Sequence, residues 1–247
     1  LPAIGLQIGR TTVNEDLLNE LLQRLQHALA DDLVSVVLFG SAVTGDFHEK
    51  FSNLNVLCVL TTVGPAQLER AYEPVDWWLK KKQPSPVLLS VEEIERAPDA
   101  FAIEFLDIRA AYRVLYGKDL IQSIEVKPAH HRHQVEHELR SRLLRLRERY
   151  LALQKDRREL IQLLVDSLPT FATLFRHALL VSGVEPPVKK REIFREAAQR
   201  LSISAAPFET LLDVREGKRR LSDPEIRPVF DGYLREIARM VEYVDRL

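Results

Sequence analysis

With 247 residues, the chain is long enough for one large domain or two of ordinary size. A content of 46% hydrophobic and 29% charged residues, with a net charge of −1, is that of a soluble globular protein. No apolar run approaches the roughly 18–20 residues of a membrane helix. Leu1 to Arg10 lacks the charged start and long apolar core of a signal peptide, and the single cysteine, Cys58, allows no internal disulfide; both fit a cytoplasmic protein. The near-neutral total conceals an asymmetry. Residues 1–118 carry 11 Lys and Arg against 16 Asp and Glu, net −5, while residues 119–247 carry 24 against 20, net +4. That places a domain boundary near Lys118.

In chain order, Thr12 predicts the cap of a helix from Val13 to about Ala30, with Glu15 completing a capping box. Leu17, Leu18, Leu21, Leu22, Leu25 and Leu29 give that helix one apolar stripe. Leu33–Phe39 has the length and β-branched content of a buried strand. Gly40-Ser41 follows, where the backbone can turn tightly and present N–H groups to an anion. Ser41 to about Thr44 reads as a short helix. A spacer with Gly45, Asp46, His48, Glu49 and Lys50 then leads to Asn53-Leu54-Asn55 and a second strand, Val56–Leu60. Strand alternation puts Asn53 and Asn55 on one face. Cys58, inside this strand, reads as a buried inert thiol.

Pro65 opens a helix to about Tyr72, and Pro74 restarts or kinks it towards Lys82. Trp77 and Trp78 are adjacent, so they cannot both enter one core. Lys80-Lys81-Lys82 is either a phosphate-attracting patch or, more simply, a solvated last turn that complements the helix dipole. Pro86–Ser90 predicts a third strand, with Ser90 capping a short helix over Val91–Arg96. Phe101–Ile108 reads as a fourth strand, on which Glu104 and Asp107 point to opposite faces. Glu104 is the one that interrupts an otherwise apolar run.

From Pro128 the pattern becomes helical throughout. Val135, Leu139, Leu143, Leu146, Tyr150 and Leu153 step by four and three along one long helix. Its other faces interleave Arg140, Arg142, Arg145, Arg147 and Arg149 with Glu136, Glu138 and Glu148. Acids set four residues before bases favour a solvated helix over a nucleic-acid stripe. Further helices are expected at about 160–182, broken or kinked at Pro169, and at 190–201, 207–216 and 223–247. His133 and His137, four apart, have the spacing of a zinc pair, but no further ligands accompany them.

The order apolar run, Gly40-Ser41, spacer, Asn53-Leu54-Asn55 resembles the signature of the polymerase-beta-like nucleotidyltransferase superfamily, whose last element is Asp-apolar-Asp. Gly45 and Ser52 also look like that family, and Arg113-Val114-Leu115-Tyr116-Gly117 looks like the segment that closes the domain in small bacterial members. The resemblance covers about residues 13–118. It implies two aspartates on one strand face holding two Mg²⁺ ions that clamp a nucleoside triphosphate. Here both aspartates are asparagines. An amide oxygen keeps the shape and loses the charge, so metal affinity should collapse while the scaffold survives. The family also places a third carboxylate on a neighbouring strand. Glu104 and Asp107 are the candidates, one at most, and in another register the position falls on Val87–Leu89, where there is none. Ser41 either donates to a triphosphate oxygen or merely caps a helix. The helical second half is similar to the accessory bundle of aminoglycoside nucleotidyltransferases and to the HEPN-type partner of minimal ones. Arg132 and His137 formally fit the HEPN Arg…His motif, a spacing that arises often by chance.

The implied architecture is an α/β (α+β) nucleotidyltransferase domain over 1–118 with a short mixed sheet. An all-α up-and-down bundle over 119–247 follows, and a cleft between the two would hold a ligand. The implied function is a nucleotidyltransferase-fold protein that is catalytically degenerate, a nucleotide-binding, regulatory or assembly module. One alternative is an active enzyme moving a nucleoside monophosphate onto a small-molecule or protein hydroxyl, with Asp46, Glu49, Glu104 or Asp107 as substitute ligands. Another is an interaction protein with a vestigial site. The expected ligand is a nucleoside triphosphate at Gly40, Ser41, Asn53 and Asn55, with Mg²⁺ disfavoured. A homodimer or protein partner would use the bundle; nucleic acid and membrane are not expected partners.

Overall fold

The computed structural model describes residues 15–44 and 53–247. Two compact units divide between Val126 and Lys127. The division falls beyond Lys118, the boundary read from charge, because Ile121 and Ile124 are buried in the core of the first unit. Thr12, which is expected to cap the first helix, lies outside the described residues.

The first unit runs α1 (Glu15–Leu29), β1 (Leu33–Phe39), α2 (Ser41–Thr44), β2 (Asn55–Leu60), α3 (Pro65–Lys80), β3 (Val87–Ser90), α4 (Val91–Arg96), α5 (Ala102–Ala110) and β4 (Tyr112–Gly117). The sheet order is β3-β2-β1-β4. Only β2 and β3 are parallel, and α3 supplies the crossover that such a pair needs.

Alternation along the strands sorts the core into two layers. Leu54, Val56, Cys58 and Leu60 join Val36 and Leu38 against Leu18, Leu21 and Leu25 of α1 and Trp78 of α3. Leu57, Val59 and Val37 face the other way, against Phe105 and Ile108 of α5 and Ile94 of α4. Because both faces are covered, the strands read as continuous apolar runs.

Helix α3 passes through Pro74 without a break, and Ala71, Pro74 and Trp78 form its buried edge. The two tryptophans separate as their adjacency requires. Trp78 is fully buried and its indole N–H donates to the Pro84 carbonyl at 2.8 Å. Trp77 is half-buried, with the Arg24 guanidinium 4.5 Å and the Lys81 ammonium 5.5 Å from its ring centre. Ser90 and Glu93 close a reciprocal capping box at the start of α4.

One element corrects the sequence expectation. Residues 101–108 form no strand: Phe101 precedes α5, residues 102–108 belong to it, and the fourth strand is β4, which contains the Arg113–Gly117 segment. The buried set Ala102, Ile103, Phe105 and Ile108 has helical rather than alternating spacing. A short apolar run satisfies both periods, and here the place beside β1 goes to Tyr112–Gly117. Glu104 and Asp107 are consequently three apart on a helix and share a side of it, not opposite faces.

The second unit consists of α6 (Pro128–Leu153), α7 (Arg157–Val181), α8 (Lys190–Leu201), α9 (Ala206–Arg215) and α10 (Asp223–Asp245). Helix α7 continues through Pro169 instead of breaking there. Phe175, Phe194 and Phe208 pack ring against ring, and Tyr233 touches Phe208 with ring centres 5.1 Å apart. Among the described residues, α7 alone is long and apolar enough to cross a membrane. Its Leu160, Leu164, Leu168, Phe171 and Phe175 are buried in this core.

Candidate functional site

Phe39 pairs with Asn55 on one side and with Tyr112 on the other, so three strands end together beside Gly40. Gly40 has φ +82°, a left-handed conformation in which a side chain is strained. Its N–H donates to the Ala111 carbonyl at 2.9 Å, and its own carbonyl accepts from Val43 N–H at 2.9 Å. The turn is therefore braced on both sides, and the Gly40 N–H is engaged within the protein. A β-carbon on Gly40 would stand 3.2 Å from Asn55 Nδ2.

Asn53 is exposed, Leu54 buried and Asn55 half-buried, the alternation that keeps the two amides on one face. Leu54 N–H donates to Gln83 Oε1 at 2.9 Å, which fixes the chain between the two asparagines. Asn55 lies two residues before Leu57, so it occupies the sheet face that α5 covers. On α5, Glu104 is exposed and Asp107 half-buried. Asp107 precedes Ala111, the Gly40 partner, by about one helical turn; Glu104 is about two turns away. β3 pairs Val87 with Leu57 and brings no carboxylate to the β2 ladder.

The Ser41 side chain, Gly45, Asp46, His48, Glu49, Lys50 and Ser52 lie outside the described residues. Among those described, no group of three or more His, Cys, Asp or Glu side chains is placed to hold a metal ion. Two neutral amides are a poor donor set for a hard dication that favours carboxylates. The Mg²⁺ pair implied by the family resemblance does not fit the described residues. A depression of about 520 Å³ lies at the opposite end of β2 and β3, lined by Thr61, Ser90, Glu92 and Arg96, and does not coincide with this turn.

His130, His131, His133 and His137 follow one another along the start of α6 and differ in burial. His133 and His137 are exposed on α6, while Arg132 pairs with Glu136 at 3.2 Å and donates to the Val244 carbonyl at 3.1 Å, a structural role. His131 is instead buried, its Nε2 2.8 Å from His177 Nδ1 of α7. Burial, with the neighbouring His177, pushes its pKa down to about 4. The signal was in the sequence: His131 sits four residues before Val135, on the apolar stripe.

No family profile and no curated protein matches the chain. Among solved structures it is similar to spectinomycin adenyltransferase AAD(9) from Enterococcus faecialis, solved with ATP and spectinomycin. The TM-score is 0.62 at 12% identity, over 94% of this chain and 100% of that one. The chain has a nucleotidyltransferase fold. The likeness extends beyond the mixed sheet to the helical second unit, since it covers nearly the whole chain. Within the nucleotidyltransferase fold, the braced Gly40 turn and the Asn55 amide stand side by side at the end of β1.

Proposed function

We propose that the chain is a nucleotide-binding module of the nucleotidyltransferase fold that binds a nucleoside triphosphate without transferring it, and serves in regulation or assembly. The apposition of Gly40 and Asn55 carries this: among the described residues, the side chain beside the turn is a neutral amide in place of a carboxylate, and an amide holds dications around a triphosphate poorly. That the similar structure was solved with ATP supports a nucleotide as the ligand class. Asn53 and Asn55 remain able to donate hydrogen bonds through their amide nitrogens, which carboxylates cannot do.

The test is a thermal-shift titration with ATP, GTP, CTP and UTP, each with Mg²⁺ and with EDTA. At one hundred times its dissociation constant a ligand adds about 2.7 kcal/mol of stability. Stabilisation by nucleotide in EDTA, unchanged by Mg²⁺ and without turnover, is the expected result. No shift with any nucleotide would favour the interaction-protein reading instead.

A second reading, an active metal-dependent transferase, draws on the α5 geometry. Glu104 and Asp107 share a helix side, and α5 covers the sheet face that carries Asn55. Mg²⁺-dependent stabilisation or turnover would favour it. Asp107, half-buried and nearer the turn, is then the first residue to replace and Glu104 the second.

A further inference from the structure

We infer that a groove between α6 and α7 is a binding site for a small phosphorylated ligand. It encloses about 290 Å³ within the helical unit and stands independently of the nucleotide site proposed above. Arg142, Arg145 and Arg149 line it from α6; Asp166, Ser167 and Thr170 line it from α7.

The pairing pattern along α6 singles out this row. Arg140 and Arg142 each follow an acid by four residues and bond to it, at 2.8 Å to Glu136 and 3.1 Å to Glu138. At the same spacing Arg145 follows Ser141, and Arg149 follows Arg145 itself. Neither has an ion pair or hydrogen bond among the described residues. Like charges four apart on a helix repel, and the one carboxylate that lines the groove, Asp166, forms no ion pair with either. Arg147 is also unpaired, but it lies on another side of the helix and does not line the groove.

The opposite wall complements the row. Thr170 is exposed and offers a hydroxyl donor. Asp166, which accepts from Gln162 Nε2 at 2.8 Å, offers an acceptor facing three cations. A ligand that presents a phosphate to the guanidiniums and a hydroxyl to Asp166 satisfies both walls. From Arg142 to Arg149 the row spans about 10 Å, the reach of one or two phosphoryl groups rather than of a nucleic-acid strand.

The test uses the full chain and glycerol phosphate, titrated at constant ionic strength against sodium chloride, with melting temperature as the readout. A saturable rise is expected. The variant R145Q/R149Q should weaken it by about tenfold for each guanidinium removed, while R147Q should leave it unchanged. All three side chains are exposed, so the variants should melt with the parent in chloride alone. No saturable rise in the parent overturns the inference. So does a rise that survives in R145Q/R149Q, which would place the phosphate elsewhere, or one lost equally in R147Q, which would reduce it to unspecific charge.

Discussion

Asn55 Nδ2 stands 3.2 Å from the point where a β-carbon on Gly40 would lie, at the place where β1 ends and β2 begins. The glycine and the amide thus form one unit, held from the far side by the Gly40 N–H bond to Ala111. Gly40→Ala should cost about 1–2 kcal/mol, since φ +82° is unfavourable for a side chain. The amide end of Asn55 can swing aside, so the same loss is expected in an Asn55→Ala background. A double-mutant cycle in urea measures this, and a penalty that vanishes with Asn55→Ala would show that the contact dominates instead.

Gly117→Ala should be worse. Its β-carbon would meet the Val34 carbonyl oxygen at 2.0 Å, a backbone atom that cannot rotate away, and φ is +77°. β1 and β4 would have to separate, at a cost of about 3 kcal/mol or more. Urea denaturation of the two glycine variants in parallel should rank Gly117→Ala well below Gly40→Ala.

Asn53→Asp together with Asn55→Asp returns two charges to the amide positions. Calorimetry should show a Mg²⁺-dependent rise in melting temperature that the parent lacks. In EDTA the variant should melt below the parent, because two carboxylates on one strand face repel. A parent that responds to Mg²⁺ as strongly as the variant would contradict the proposed metal-free binding.

His131 makes stability depend on acid. Its folded pKa is lowered from 6.5 to about 4, so between those values the unfolded chain binds a proton that the folded chain refuses. Stability is full above about pH 6.5 and falls as pH drops towards 4, by up to about 3 kcal/mol. His131→Phe should flatten that slope, whatever its effect at pH 7. Urea midpoints at pH 7, 6 and 5 give the comparison.

The adjacent tryptophans should differ sharply. Trp78→Phe leaves a void and orphans the Pro84 carbonyl, a loss of about 2–3 kcal/mol. Trp77→Phe keeps a ring for Arg24 to cover and should cost under about 1 kcal/mol. Chemical denaturation of both variants tests the assignment of buried and half-buried roles.

Much of the scaffold was legible because local and global preferences agree. The β1 run, the Ser41 helix start, the Ser90 cap and the leucine stripe of α1 each carry their own signal, and each forms where that signal places it. Pro74 and Pro169 do not end their helices, since a helix buried along one edge tolerates a proline that an isolated helix would not. Residues 101–108 misled: eight apolar-rich residues fit either period, and only pairing decides.

By itself the sequence determined the family resemblance and the residue types at the Gly-Ser turn and the two amide positions, because these are local facts of residue type and spacing. It also determined which α6 arginines have acids four residues before them. Tertiary structure alone decided that Tyr112–Gly117 takes the place beside β1, which leaves Glu104 and Asp107 on a helix, three residues apart, rather than on a strand. It alone decided that the Gly40 N–H goes to Ala111, seventy-one residues away in the chain. The reason is the same in both cases: strand pairing and backbone hydrogen bonds join segments that carry no mark of each other in the sequence.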